Sequence, residues 1–241
     1  MLHKTRGIVL HTTKYSESSV IAKIYTELFG LQSYLLNSVR SKKAKIKFSV
    51  LQPLSLLEMV VYHKENQGLQ RISEIRNNPL FTSIPYHPIK SAIAFFLNEI
   101  LYKSIREEEP NRYLFEFIFN SLHWLDLKTE HYTNFHLFFL LQLTKYLGFY
   151  PFGKYSAETS YFDLPEGKFC DAEPLHVHFI SFPQSAQLNR ILESTYENIA
   201  EISISTAERK FLLEKLIDYY ELHITGVKTI KSHKILEEVL R

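Results

Sequence analysis

The feature that most limits the fold is a change of hydrophobic period at a proline-bearing stretch, Asn77–Pro88, which holds Pro79, Pro85 and Pro88. Before it the pattern is that of strands. Val20, Ala22 and Ile24 alternate with Ile21, Lys23 and Tyr25, the period of two that separates the faces of a sheet. The segments Arg6–Thr12, Val20–Glu27, Leu31–Ser38, Leu54–His63 and Leu69–Ile75 are rich in β-branched, aromatic and leucine residues, as strands are. Ser16–Ser19, Gly30 and Glu65–Gly68 interrupt them. Short strands with one longer connection, Arg40–Val50, after the third match a five-stranded OB-fold barrel. An SH3-like barrel is the competing arrangement.

After the prolines the spacing is helical. Ile89, Ile93, Phe96, Leu97, Ile100 and Leu101 share one face, and Leu114, Phe117, Ile118 and Leu125 line a second helix. A third, Asn134–Leu147, is apolar nearly all round and belongs inside a bundle, with Gly148 as its stop. Residues 149–183 mix aromatics with Gly153, Pro165 and Gly167. They read as a small irregular insertion with a hairpin near Thr159–Phe169. Helices resume at Leu188–Leu192, at Ser205 or Thr206 as a cap, and at Ser232–Leu240. The expected class is α+β and multidomain: an OB barrel over 1–78, helical segments over 79–148 and 184–241, and the insertion between them.

Charge divides along the same line. Residues 1–80 hold twelve Lys and Arg against five Glu and no Asp, a balance of +7, whereas the remainder carries −5. A basic front half points to a polyanion as its partner, although solvated lysines can cluster by chance. Arg40-Ser41-Lys42-Lys43-Ala44-Lys45-Ile46-Lys47 packs five cations into eight residues without an anion. Such a loop can neutralise phosphates independently of sequence, or simply be solvated. Arg40, Lys42, Lys43, Lys45 and Lys47 are the first candidates for DNA contact; Lys4, Arg6, Lys14 and Lys23 are the second. Tyr15, Tyr25, Tyr34 and Phe48 are available for base stacking, though each taken singly fits a core better than a base platform.

Several chemistries lack support. Gly148–Lys154 has the outline of a phosphate loop, but Tyr155 replaces the magnesium-binding hydroxyl, a helix precedes it, and aromatics fill it. No G-x-S-x-G elbow, H-E-x-x-H helix or glycine-rich dinucleotide turn occurs, so no enzyme activity and no cofactor are expected. The single cysteine, Cys170, excludes an internal disulfide and an all-cysteine zinc site. His176-Val177-His178 would set both rings on one face of a strand near Cys170, Asp171 and Glu173; no paired-ligand spacing accompanies them, and no metal is expected. No apolar run is long enough to span a membrane and no signal-peptide core opens the chain, so a cytoplasmic location is expected.

Short motifs run in a fixed order through the chain: Gly7-Ile8-Val9-Leu10, Tyr15-Ser16-Glu17-Ser18, Thr26–Leu31, Arg40-Ser41-Lys42-Lys43 and Leu51-Gln52-Pro53-Leu54, then His223-Ile224, Ile230-Lys231-Ser232 and Ile235-Leu236. In this order they resemble the RecO family of bacterial recombination mediators. The resemblance implies a non-catalytic protein that binds single- and double-stranded DNA, anneals complementary strands, works with RecR, engages the acidic C-terminal tail of single-stranded DNA-binding protein (SSB), and so helps RecA load in the RecF pathway. It would meet the nucleoid when acting. Many members carry a four-cysteine zinc module after a Leu-Gly-x-x-Pro turn, which Leu147–Pro151 resembles. Here the first cysteine pair is absent, and only Cys170 of the second remains, with Glu173 in its partner's place. The resemblance therefore implies a metal-free, degenerate insertion. An SSB-like tail needs an apolar notch with a cation at the rim, and Lys228, Lys231 and Lys234 are candidates by charge. An RNA- or protein-binding OB adaptor is the alternative.

Overall fold

The alternating residues of the N-terminal segment close into a barrel in the structure, a computed structural model that describes every residue except Lys42, Lys43, Lys45, Asn66, Glu107 and Lys228. Its strands are β1 (Leu2–Lys14), β2 (Val20–Thr26), β3 (Gly30–Leu36), β4 (Leu56–Tyr62) and β5 (Gln70–Asn77), in the closed order β1-β2-β3-β5-β4. The first strand is long enough to serve both sides. Leu2 to Ile8 pair with β4, and Gly7 to Lys14 pair with β2. A short parallel pairing, Tyr34 with Gln70 and Leu35 with Arg71, joins β3 to β5. This is the OB-like arrangement, and among its described residues the connection after β3 forms a 3-10 turn, Phe48–Leu51.

Alternation decides what fills the barrel. Val20, Ala22 and Ile24 of β2 meet Leu57, Met59 and Val61 of β4, with Val9, Tyr34 and Leu36, in one buried cluster. Tyr25 points the other way and is still buried, because a helical layer covers it. That layer is α1 (Pro88–Ser104) and α2 (Arg112–Leu127). Phe115 lies 6.1 Å from the Tyr25 ring, and the Tyr25 hydroxyl donates to Asn111 O at 3.3 Å. His11 of β1 stacks on Tyr102 of α1 at 4.6 Å. Gly30 opens β3 with φ +62°, and a Cβ there would sit 2.5 Å from the Glu109 carbonyl oxygen, so only glycine lets the two segments approach this closely.

The proline stretch is anchored rather than slack. The Asp126 carboxylate accepts the backbone N–H groups of Thr82, Ser83 and Ile84, each at 2.8 Å. Lys90, 3% exposed, donates to Ser83 Oγ at 2.6 Å and to Asp126 O at 3.0 Å. Buried charges need such partners. The barrel, this stretch, α1 and α2 make one compact unit, Met1–Leu127, and Lys128–Arg241 makes a second. The division falls inside the 79–148 segment read from the sequence.

The second unit is built on α3 (Phe135–Leu147), buried continuously from Phe135 to Thr144 and ended by Gly148 in the left-handed region, φ +86°. Around it come β6 (Tyr161–Asp163), β7 (Lys168–Cys170), β8 (Phe179–Ile180), α4 (Gln184–Leu192), α5 (Thr206–His223) and α6 (His233–Val239). Ser205 caps α5 in a reciprocal capping box with Glu208. The expected hairpin is β6–β7, but β8 adds a third strand on the far side of β6. With so few residues its pairing depends on context, so periodicity does not reveal it. Among the described residues no helix is long and apolar enough to cross a membrane.

Candidate nucleic-acid interface

The cations read from the sequence separate into two groups by what surrounds them. Lys14 ends β1 opposite Val20, and Val20 also pairs with Leu36 at the end of β3. The segment after β3 returns to this end of the barrel, where Arg40 N–H donates to Ser18 O at 3.2 Å. Lys14, the 61% exposed ring of Tyr15 and Arg40 therefore gather at one end of the barrel. The Arg40 guanidinium lies 5.0 Å from the centroid of Phe48, beside exposed Lys47. Among the described residues Lys14, Arg40 and Lys47 have no carboxylate partner. Lys42, Lys43 and Lys45 lie outside the described residues.

The other cations are engaged. Arg6 donates through Nε and NH2 to the Glu27 carboxylate, both at 2.9 Å, and also pairs with Glu116. Its guanidinium packs over Phe115 and Phe119, at 5.1 and 4.9 Å. The hydrogen bond to Glu27, with help from Glu116, raises the Arg6 pKa against the opposing effect of burial. Arg6 is thus a clasp between β1 and α2, not a residue open to a phosphate, because its charge is already matched. Lys4 shares Glu58 with Arg76, each at 2.5 Å. Lys4, Arg76 and Asn78 hold the Glu58 carboxyl down at about 2. Lys23 is half-buried with its ammonium 5.6 Å from the Tyr102 centroid, so it faces α1. Tyr25 and Tyr34 are core residues at 1% and 0% exposure and cannot stack a base.

His176 and His178 are not brought together with other metal-ligating residues into a candidate site among the described residues. His176 to His178 occupy a bend before β8 rather than a strand, with rings 6.3 Å apart, and His176 Nε2 lies 3.3 Å from Asp163. Burial, with Asp163 and Asp171 nearby, raises the Cys170 thiol pKa, which disfavours the thiolate that a metal needs. Its sulfur instead contacts the carbonyls of Tyr161 and Ala172. Among the described residues no group of three or more His, Cys, Asp or Glu could hold a metal ion.

The insertion has other fastenings. Tyr219 of α5 donates to Phe149 O at 2.5 Å, His223 Nε2 lies 2.8 Å from Leu164 O, and the Phe149 and His223 rings stack at 5.1 Å. Elsewhere in this unit a cavity of about 380 Å³ is lined by His136, Ala207, Leu213 and Leu240, with Arg209, Lys210 and Arg241 among its cations. Lys231 and Lys234 are exposed and do not line it, and Lys228 lies outside the described residues.

Family models divide the chain at the proline stretch. That for the recombination protein O N terminal matches residues 1–78, and that for the recombination protein O C terminal matches residues 86–233. The chain belongs to the RecO family. A DNA repair protein RecO of Bacteroides fragilis is 42% identical over 241 residues, covering 99% of each chain. That of Phocaeicola vulgatus is 37% identical over 239 residues, again 99% of each, and that of Flavobacterium psychrophilum is 39% identical over 238 residues, 98% of each. RecO membership brings with it a role in DNA repair. The donors left in this chain do not fit a four-cysteine zinc module, in keeping with the metal-free insertion that the resemblance implies. One half-buried thiol with a raised pKa cannot replace four thiolates.

Proposed function

We propose that the protein is a non-catalytic DNA-binding mediator of recombination. It binds single- and double-stranded DNA, anneals complementary strands, and with RecR helps RecA load onto SSB-coated DNA. The observation that carries this reading is the meeting of Lys14, Tyr15 and Arg40 at one end of an OB-like barrel, where the cations have no carboxylate partner among the described residues. Unmatched cations release counterions from a phosphate backbone without reading sequence. Such contacts let strands slide into register before they pair. Lys42, Lys43 and Lys45, in the same connection, extend the proposed contact surface, and so does Lys47.

The second unit is the proposed protein-binding half. The proposed seat for a peptide tail that is apolar and ends in a carboxylate is the cavity between α5 and α6, where Glu237 is itself paired with Lys210 at 3.1 Å. Ala207, Leu213 and Leu240 offer the apolar wall, and Arg209 offers a cation held in place by Asn134 Oδ1 at 3.0 Å and Ile204 O at 3.1 Å. This favours Arg209 over Lys231 and Lys234 as the proposed anchor for an SSB tail, while Lys228 lies outside the described residues.

Annealing of SSB-coated oligonucleotides, with and without the protein, tests the reading. Acceleration is expected, together with single-strand affinity that falls steeply with salt. Changing Arg40, Lys42, Lys43 and Lys45 together to Ala is expected to remove most of the binding. No acceleration at physiological salt, or a clear preference for RNA over DNA of equal length, overturns it.

A further inference from the structure

The barrel has a second group of unmatched cations, at the β4–β5 turn. Tyr62 ends β4 directly opposite Arg71 at the start of β5, so the two side chains leave the sheet on one face. Tyr62, Lys64 and Arg71, with Gln67 and Gln70, line a cleft of about 420 Å³. The Tyr62 ring is 46% exposed although it is large and apolar.

The loop that carries Lys64 is held from beneath by one buried amide. Gln70, 3% exposed, accepts the Lys64 N–H at 3.1 Å and donates to Lys64 O at 2.9 Å and Gln67 O at 2.7 Å. That staple fixes the loop backbone at Lys64, so a ligand has only the exposed side chain left to order. Lys4, Arg6 and Arg76 are all matched by Glu27, Glu58 or Glu116, whereas among the described residues Lys64 and Arg71 have no carboxylate partner. A larger cleft of about 910 Å³ shares Lys64, Gln67 and Gln70 with it and reaches Lys23, Gln32 and Ser33, but Glu65, Glu108 and Glu109 stand in its wall. A polyanion is therefore favoured in the Tyr62 cleft, whose described lining carries no carboxylate.

We propose that Tyr62, Lys64 and Arg71 form a nucleotide subsite for an unpaired DNA strand, with a base stacked on the Tyr62 ring and the flanking phosphates on Lys64 and Arg71. The subsite deepens the DNA-binding reading above and rests on it. A base in a duplex has both faces covered by its neighbours, so a stacking platform selects the single strand. Arg71 also stands opposite Leu35 of β3, the strand that leads into the basic connection. A strand seated here can continue toward Arg40.

The test is fluorescence anisotropy of a labelled oligothymidylate and of a duplex of equal length, across a salt series. The double variant K64A/R71A is expected to weaken single-strand binding and to lower the slope of log affinity against log salt by about 1.4, the value for two phosphates. Y62A is expected to weaken single-strand binding about fivefold or more, with the slope and the duplex affinity unchanged, and Y62F to restore it. Wild-type affinity and slope in K64A/R71A overturn the subsite, as do equal losses for single strand and duplex in Y62A. If the unaltered protein itself shows no salt-dependent DNA binding, the DNA-binding reading fails first, and the two failures are thereby distinguished.

Discussion

Arg6 and Glu27 meet in a two-point ion pair, with Nε and NH2 each 2.9 Å from a different carboxylate oxygen. The fork of a guanidinium fits a carboxylate in this way and an ammonium does not. Because Glu116 of α2 joins from the helical layer, the pair ties β1 to the helices that cover the barrel. Arg6→Ala leaves both half-buried carboxylates unmatched and is expected to destabilise the first unit by about 2 kcal/mol. Arg6→Lys recovers only part of that. Urea unfolding checks it through a lowered midpoint at an unchanged m-value, while DNA affinity stays at the unaltered level.

Acid destabilises the two units over different ranges of pH. Arg6 holds the Glu27 carboxyl below its ordinary 4.5, outweighing burial. A carboxyl depressed in the folded state contributes stability that is complete above the unfolded pKa and is lost as pH falls through the folded one. The loss for the first unit therefore begins below about 4.5, and Arg6→Ala removes that part of it. In the second unit burial, aided by Arg209, drives the His136 imidazole from 6.5 down to about 3 despite a backbone hydrogen bond with Thr133. The ring stays neutral when folded and takes a proton when unfolded, so stability is complete above 6.5 and declines toward 3. Unfolding free energy measured across pH is expected to slope by up to about 1.4 kcal/mol per pH unit in that interval. His136→Leu flattens the slope, and an unchanged slope refutes the assignment.

Gly30 tolerates no side chain. Its φ of +62° is strained for other residues, and a Cβ would meet Glu109 O at 2.5 Å. That oxygen belongs to backbone and cannot swing aside. Gly30→Ala is expected to lower thermal stability by about 2 kcal/mol or more, read as a fall in the melting midpoint.

The fastening of the insertion by Tyr219, His223 and Phe149 predicts stability that does not depend on metal. A strong chelator is expected to leave the melting curve unchanged, whereas Tyr219→Phe, which leaves Phe149 O without its donor, costs about 1–2 kcal/mol. A midpoint that drops on chelation contradicts a metal-free insertion.

Ser205 and Glu208 cap α5 reciprocally. Ser205→Ala is expected to cost about 1 kcal/mol, measurable by urea unfolding, and Ser205→Asp to cost less.

How much was legible in the sequence differs between fold and site. All five barrel strands and the buried helix α3 could be read directly, because periods of two and 3.6 in apolar residues are local properties. Short β8 carries no period of its own, and the bend at His176–His178 looks like a strand only while its neighbours are unknown. The family itself was legible in the order of short motifs along the chain.

The site was legible only as charge. The amino-acid sequence by itself determined that the front of the protein is basic, that the chain changes from strands to helices at the prolines, and that one cysteine cannot build an all-cysteine zinc site. Only the tertiary structure decided which cations are unmatched. Arg6 and Lys23 look like Lys14 in one dimension, yet Glu27, Glu116 and Tyr102 come to them from distant parts of the chain. Tyr62 and Arg71 become neighbours only through strand register. A side chain's electrostatic availability depends on charges and rings within a few ångströms, and those distances are set by folding, not by order along the chain.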